Sequence, residues 1–229
     1  MYSNETVKKV VGMIQERISH YESISEEEIK VCISGGNRKI GRVLNVSLPP
    51  VLTCANCFGC KNYCYDIKAC LQYSNTVIDA RTRNYILAFK FREKYFAEIR
   101  KKCTNRRKNK FFRWHVSGDI PDIGYLKEMI AIAREFPDFI FWTYTKNYRL
   151  VNAYCEEYGR ESIPVNLSIM FSEWKGMEMV NPYNFPEFRC IMPGEEIPKG
   201  FTKCPGNCEE CTSKKHGCPY RKNKYVFLH

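Results

Sequence analysis

The chain has 229 residues, of which 44% are hydrophobic, and it carries a formal net charge of +11 at pH 7. This composition suits one sizeable core with a small appendage, and it excludes a disordered chain. The sequence holds no apolar run near the ~20 residues that a membrane helix needs, and its first residues lack the apolar region of a signal peptide. We therefore expect a cytoplasmic protein with no membrane partner, and the positive charge favours an anionic partner such as nucleic acid or a nucleotide.

The first half of the chain predicts two long helices and a strand. Apolar residues at helical spacing predict a helix over residues 4–20, and a second apolar stripe predicts one long helix over residues 76–103. Between them, residues 40–48 predict a strand that ends in Pro49-Pro50. A loop rich in cysteine follows that strand.

A basic segment follows the second helix. Six of the ten residues in 101–110 are Lys101, Lys102, Arg106, Arg107, Lys108 and Lys110. Cations suit the negative end of a helix dipole, and they equally suit a phosphate backbone. The segment is therefore a candidate contact surface for nucleic acid, with a solvated surface as the alternative.

The second half alternates strands with helices. Strands are predicted at residues 111–116, 139–144, 165–171 and 189–192, with helices at 123–136 and 150–158. This alternation is typical of parallel β/α units, and about five strands are too few for an eight-stranded barrel. We expect an α/β fold with a partial (β/α) barrel or an open, curved, mostly parallel sheet. The core domain would span residues 1–192, and residues 193–229 would form a cysteine-rich metal-binding tail packed on it.

The sequence has thirteen cysteines, an odd number that cannot pair completely within the chain. Without a secretion signal, a metal framework is favoured over a disulfide framework. Five cysteines lie in residues 53–70: Cys54, Cys57, Cys60, Cys64 and Cys70. Clustered thiolates on one loop suit a 4Fe–4S cluster better than the paired knuckles of structural zinc. We expect Cys54, Cys60 and Cys64 to bind the cluster and to leave one iron open, and the roles of Cys57 and Cys70 stay open.

The tail contains a second set of cysteines, Cys204, Cys208, Cys211 and Cys218. Four thiolates form a closed site, which suits either structural zinc or a second 4Fe–4S cluster. The spacing favours neither metal.

Polar residues follow three predicted strands. The first of these strands runs into His115, Ser117 and Asp119, the next ends at Lys146, and the third carries Asn166. In parallel β/α folds the carboxyl ends of the strands carry the site. We expect these groups to converge on the edge that carries the cysteine loop.

At these residues the chain resembles the gene-product-88 family of bacteriophage proteins. The matching features span residues 43–150: Leu48-Pro49-Pro50, the Cys54-x5-Cys60-x3-Cys64 spacing, Arg83-Asn84, Arg113-x-His115-x-Ser117-Gly118-Asp119 and Tyr144-Thr145-Lys146. The cysteine-rich tail with its terminal His229 is also similar. The resemblance implies an origin in a phage and action inside the bacterial host cell.

The order of elements also resembles a shortened radical SAM enzyme, although the usual spacing there is C-x3-C-x2-C. That resemblance implies that S-adenosylmethionine binds the open iron, with Ser117, Gly118, Asp119 and Asn166 in the cofactor site and His115, Asp119 and Lys146 acting on the substrate. The substrate would be a nucleic acid or nucleotide. The alternative is a non-catalytic protein, stapled by zinc or iron–sulfur, that binds nucleic acid or a host protein.

Overall fold

The computed structural model describes residues 1–57 and 59–228, so His229 lies outside the described residues. The chain forms one sheet whose strands are Leu44–Asn45 (β1), Phe111–Arg113 (β2), Ile140–Thr145 (β3), Leu167–Glu173 (β4), Glu187–Ile191 (β5), Thr202–Lys203 (β6) and Lys224–Phe227 (β7). The spatial order is β1-β2-β3-β4-β5-β7-β6, and every neighbouring pair is parallel. The predicted α/β class with a parallel sheet is confirmed.

The helices are Asn4–Glu22 (α1), Tyr65–Gln72 (α2), Asp79–Lys90 (α3), Arg92–Thr104 (α4), Ile123–Glu135 (α5), Tyr148–Tyr158 (α6) and Cys208–Ser213 (α7). A π-helical turn at Ser74–Ile78 joins α2 to α3. Within the described ranges, no helix combines the length and apolarity needed to cross a bilayer.

The two faces of the sheet bury different parts of the chain. On one face, Phe112 and Phe141 join a large apolar cluster with side chains of α3 to α6. On the other face, Trp142 and Met170 pack against Cys218 of the tail. Alternate residues of a strand point to opposite faces, so each strand contributes to both layers. The cysteine-rich tail therefore covers the face of the sheet that α3 to α6 leave free.

The single helix predicted over residues 76–103 is wrong, because the structure divides it into α3 and α4. Phe91 lies between them with φ −128° and ψ 54°, outside the helical region. Apolar side chains on both sides of the break belong to one core cluster. Arg92 fixes the start of α4 through an ion pair with Asp122, 2.6 Å between Nη2 and Oδ2.

The prediction of about five strands is also wrong, because the tail adds two. β7 pairs with β5, and β6 pairs with β7 at the edge of the sheet. At the opposite edge of the sheet, the strand predicted over residues 40–48 is only the two residues of β1. The chain after β1 still bonds to the loop after β2, because the Leu48 amide donates to the Ser117 carbonyl, 2.9 Å.

Gly118 is required by this contact between the two loops. Its φ is +85°, and a Cβ atom there would lie 2.6 Å from Thr53 Oγ1 and 2.7 Å from Leu48 Cβ. Gly118→Ala therefore combines backbone strain with a clash at the start of the cysteine loop, and we expect it to lower the free energy of unfolding by about 2–3 kcal/mol. Chemical denaturation measures the loss.

Gly176→Ala is the matched control, since Gly176 has φ +79° and open space around the added atom. It should show the strain cost alone. Equal losses in the two variants would contradict a tight contact at Gly118.

Candidate metal centre at the carboxyl edge of the sheet

The cysteine loop starts at the carboxyl edge of the sheet, beside the segment that follows β2. Thr53 Oγ1 donates to the Pro49 carbonyl, 2.7 Å, which closes a turn directly before Cys54. The Asn56 amide reaches the next strand end and donates to the Lys146 carbonyl, 2.8 Å. These two hydrogen bonds hold the loop on both sides of Cys54 and directly before Cys57.

Three thiols of the loop lie close together. The thiol of Cys57 is near enough to those of Cys54 and Cys60 for each to affect its pKa. Proximity to Cys57 lowers the pKa of Cys54, and it also lowers the pKa of Cys60 to about 6, where the charge of Lys146 also helps. The pKa of Cys57 itself is raised by these two neighbours. These shifts favour deprotonation of Cys54 and Cys60 and retention of the proton on Cys57.

Asp119 and Lys146 lie beside these thiols and join the ends of two strands. The Asp119 carboxylate accepts from Thr145 Oγ1 at 2.6 Å, the Ile120 amide at 2.7 Å and the Lys146 amide at 2.8 Å. Burial raises the pKa of Asp119 to about 6, although these donors and Lys146 oppose the shift. The Lys146 ammonium donates to Ser172 Oγ, 3.3 Å, at the end of β4. The predicted meeting of Asp119 and Lys146 at the cysteine edge agrees with these contacts.

The surroundings of Cys64 and Cys70 differ from those of the other three cysteines of the loop. Cys64 is the residue that precedes α2, and burial raises the pKa of its thiol to about 11. Cys70 is fully buried in an apolar cluster with Val10 and Ile14 of α1. Cys70 therefore packs as a small apolar residue, while Cys64 stays a predicted ligand of the loop.

The loop fits a cluster by the chemistry of its donors. Thiolates are the ligands of iron–sulfur clusters, and two thiols with lowered pKa are prepared for deprotonation. In residues 1–57 and 59–228, no group of three or more His, Cys, Asp or Glu is spaced as a ready site for a metal ion. The thiol of Cys57 lies between those of Cys54 and Cys60 in this arrangement. Binding of a metal therefore requires the three side chains to reorient so that their sulfur atoms point to one centre.

His115 lies in the layer between the sheet and the helices. Its Nε2 lies 3.1 Å from the Tyr125 hydroxyl and its Nδ1 lies 3.4 Å from Thr143 Oγ1, and the ring is buried. Burial lowers its pKa to about 3, so the ring is neutral at pH 7. The structure does not bring His115 to the thiols, and its catalytic role stays a prediction without a supporting contact among the described residues.

Asn166 directly precedes β4 and so lies at the amino edge, opposite the cysteine loop. Its amide donates to the carbonyls of Ala133, Phe136 and Phe139 at 2.8–3.0 Å, and it thereby ties the end of α5 to β3. Ser117 is at the correct edge, with a buried hydroxyl that has no partner among the described residues. Ser117 is thus available for a polar contact beside the cysteine loop. Asn166 lies away from that loop, and its side chain stabilises the connection between α5 and β3.

The four tail cysteines form a second group on the face of the sheet opposite α3 to α6. Burial is the main reason why the pKa of Cys218 is raised to about 12. The nearby thiols of Cys204, Cys208 and Cys211 raise it further. The Ser168 hydroxyl donates to the Cys218 carbonyl, 2.7 Å, and holds this group on β4.

A buried cation faces the tail cysteines. Arg113 Nη1 donates to Cys208 Sγ, 3.6 Å, and its guanidinium lies 4.7 Å from the centre of the Tyr144 ring. A metal held by four thiolates carries net negative charge, and a guanidinium in contact with one thiolate offsets part of it. The donor set therefore fits either zinc or a 4Fe–4S cluster, as the spacing predicts.

The basic segment lies at the edge of the sheet opposite the cysteine loop and close to the tail: Arg106 Nη2 donates to the Arg42 carbonyl, 3.2 Å, and Arg42 pairs with Glu209 beside Cys208. Residues 101–110 join the end of α4 to the start of β2, which places them at the amino edge of the sheet. Lys101, Lys102, Arg107 and Lys108 are exposed.

A family model for gene product 88 matches residues 28–187, well over half of the chain. The chain belongs to the gene product 88 family. The matched range holds the cysteine loop and β1 to β4, and it ends before the tail cysteines of this family member. Comparison with curated proteins and with solved structures found no match. The predicted family is confirmed, and the likeness to radical SAM enzymes stays a prediction.

Two cysteines of this gene product 88 protein were not assigned from the sequence. Cys57 lies close to the thiols on both sides of it, and Cys190, near the end of β5, is close enough to Cys60 and Lys146 for their charges to act on its thiol. A signal for Cys57 was present, since Cys54, Cys57, Cys60 and Cys64 follow the C-x2-C-x2-C-x3-C run of bacterial ferredoxins. Cys190 has no such signal, because only the fold brings β5 to the loop.

Proposed function

We propose that this gene product 88 protein is an iron–sulfur protein whose cysteine loop binds a 4Fe–4S cluster at the carboxyl edge of the sheet. The observation that carries the proposal is the proximity of the thiols of Cys54, Cys57 and Cys60, which affect one another's pKa beside Asp119 and Lys146. Soft thiolates in this density select iron–sulfur clusters, and the ferredoxin spacing agrees. Cys64 remains the alternative third ligand.

The finer proposal is an enzyme that resembles radical SAM enzymes and acts on a nucleic acid or nucleotide. A cluster with three protein thiolates has one iron open, and there it supplies the chemistry that cleaves S-adenosylmethionine. Lys146 offers an ammonium group beside the thiols, which suits the carboxylate of that cofactor. The unpartnered Ser117 hydroxyl suits a further polar contact.

Anaerobic loading with iron and sulfide, followed by reduction with dithionite, tests this function. We expect S-adenosylmethionine to change the electron paramagnetic resonance spectrum of the reduced protein and to be converted to 5′-deoxyadenosine. An unchanged spectrum together with no 5′-deoxyadenosine would refute the radical SAM version and leave the cluster itself to be tested separately.

The second candidate is a non-catalytic metal-stapled protein that binds nucleic acid, and the basic segment favours it. Lys101, Lys102, Arg107 and Lys108 are exposed and make no ion pair within the described residues. Such charges release counterions when they bind phosphates. A host protein is the other partner that this candidate allows.

For the nucleic-acid version, we expect affinity for single-stranded oligonucleotides to fall steeply with salt. Replacing the four residues by glutamine should reduce the slope of log K against log salt by about 3, since each phosphate contact contributes roughly 0.7. Exposed Lys8 and Lys9 of α1, replaced by glutamine, are the control. A slope that the four substitutions leave unchanged would exclude this segment as the contact surface.

A further inference from the structure

An open cavity of about 340 Å³ lies at the amino edge of the sheet, away from the cysteine loop. Glu187, the first residue of β5, and Asn223, directly before β7, line it together with Arg160 and Arg221. Arg221 Nη2 donates to the carbonyls of Pro164 and Leu167, at 2.9 and 3.2 Å, so the cavity lies at the start of β4. Neither the metal proposal nor the basic segment involves these residues.

The two arginines are held in this cavity without carboxylate partners. The Arg160 guanidinium lies 4.2 Å from the centre of the Phe185 ring, and it makes no hydrogen bond or ion pair within the described residues. Arg221 Nε is buried and has no partner there. Burial lowers the pKa of both groups, and the charge of Arg160 lowers that of Arg221 further. Two cations that repel each other and retain unused donors constitute a site that an anion would stabilise.

The one carboxylate in the lining, Glu187, is paired with Arg189, which also pairs with Glu173 at 2.6 Å. Glu187 Oε2 accepts from Arg189 Nη2 at 2.8 Å, and Glu187 Oε1 accepts from the Asn181 amide at 3.3 Å. Asn223 uses its carbonyl oxygen to accept from the Glu187 amide, 2.9 Å. Its own amide group therefore adds a neutral donor to the two arginines.

We infer that this cavity binds the phosphate group of a small phosphomonoester. A monoester dianion matches the two unpaired guanidinium charges, and their planar forks suit phosphate oxygens in pairs. The volume is at the lower end of the ~300–1,000 Å³ typical of ligand sites, which suits a small molecule. A nucleic acid backbone fits less well, because its diester groups carry one charge each and do not end in the concave cavity.

Isothermal titration calorimetry of the full chain with inorganic phosphate, at constant ionic strength, tests the site. We expect saturable binding of one phosphate per chain, and Arg160→Gln should weaken it at least about tenfold. Arg160→Lys keeps the charge and should show an intermediate loss. Arg38→Gln, which removes an exposed arginine outside both proposed phosphate-binding surfaces, is the matched control and should leave the affinity unchanged.

Adenosine monophosphate and an oligonucleotide without terminal phosphates separate the two sources of phosphate. The inference predicts that the monoester binds and that Arg160→Gln weakens it, while oligonucleotide binding is unaffected by that substitution. Absent saturable phosphate binding would overturn it, and so would equal losses in the Arg160→Gln and Arg38→Gln variants. Thermal melts by circular dichroism verify that each variant is folded, and Arg160 is suited to substitution because its guanidinium makes no hydrogen bond or ion pair within the described residues.

Discussion

Replacing Cys57 with serine is expected to remove most of the iron from the loop, whereas replacing Cys64 should leave most of it bound. The reason is that the thiol of Cys57 lies close to those of Cys54 and Cys60, while the Cys64 thiol is held at the start of α2 with a raised pKa. Losing one of three cluster thiolates typically costs the cluster. Iron and acid-labile sulfide per chain after anaerobic loading measure the effect, since the tail contributes equally to both variants.

The opposite pattern would contradict this grouping. Retained iron in Cys57→Ser with lost iron in Cys64→Ser would restore the ligand set that the C-x5-C-x3-C spacing predicts. Cys190→Ser provides a third comparison, because Cys190 is the thiol outside the loop whose pKa the charge of Cys60 raises. Loss of iron in that variant would indicate that four thiolates bind the cluster and leave no iron open for S-adenosylmethionine. That result would favour the non-catalytic candidate.

Replacing Asp119 with alanine is expected to lower the free energy of unfolding by about 3 kcal/mol, because three donors in a buried site lose their acceptor at roughly 1 kcal/mol or more each. Thr145, Ile120 and Lys146 supply these donors. Asp119→Asn keeps one oxygen as an acceptor and should lose less. Chemical denaturation at pH 7 measures both variants. A loss for Asp119→Ala below that of Asp119→Asn would contradict a clamp made by both oxygens.

The same carboxyl predicts the sign of a pH dependence. Its folded-state pKa of about 6 lies above the ordinary value of 3.8, so the folded chain binds more protons than the unfolded chain between these values. Wild-type stability should therefore fall, relative to Asp119→Asn, by about 2 kcal/mol as the pH rises from 4 to 6. Taking the difference between the two proteins cancels the titration of other groups. A difference that grows with pH in this range would refute the raised pKa.

Much of the fold was predictable because most of its elements have strong periodicity. The helices at α1, α5 and α6 and the strands β3 and β4 lie close to their predicted ranges. β6 and β7 were missed because they are two and four residues long in a segment rich in Gly, Pro, Lys and Cys. The break at Phe91 was missed because the apolar stripe continues across it.

The site was predictable where chain order fixes position and unpredictable where side chains turn. Asp119 and Lys146 follow parallel strands, so they had to reach the same edge as the cysteine loop. His115 also follows β2, but its backbone has a φ of +52° and its ring packs against Tyr125 in the core. The order of elements does not reveal this direction of the side chain. Asn166 was expected at the cysteine edge, yet it precedes its strand, and parallel strands place such a residue at the amino edge.

Metal analysis and spectroscopy of anaerobically purified protein test the central claim most directly. We predict a brown protein with iron and acid-labile sulfide in equal amounts and, after reduction, the electron paramagnetic resonance signal of a 4Fe–4S cluster. The part of that signal that comes from the loop should disappear when Cys54, Cys57 and Cys60 are replaced together by serine, and a cluster in the tail would keep its own signal. Colourless protein that contains zinc but neither iron nor sulfide would contradict an iron–sulfur cluster in the loop.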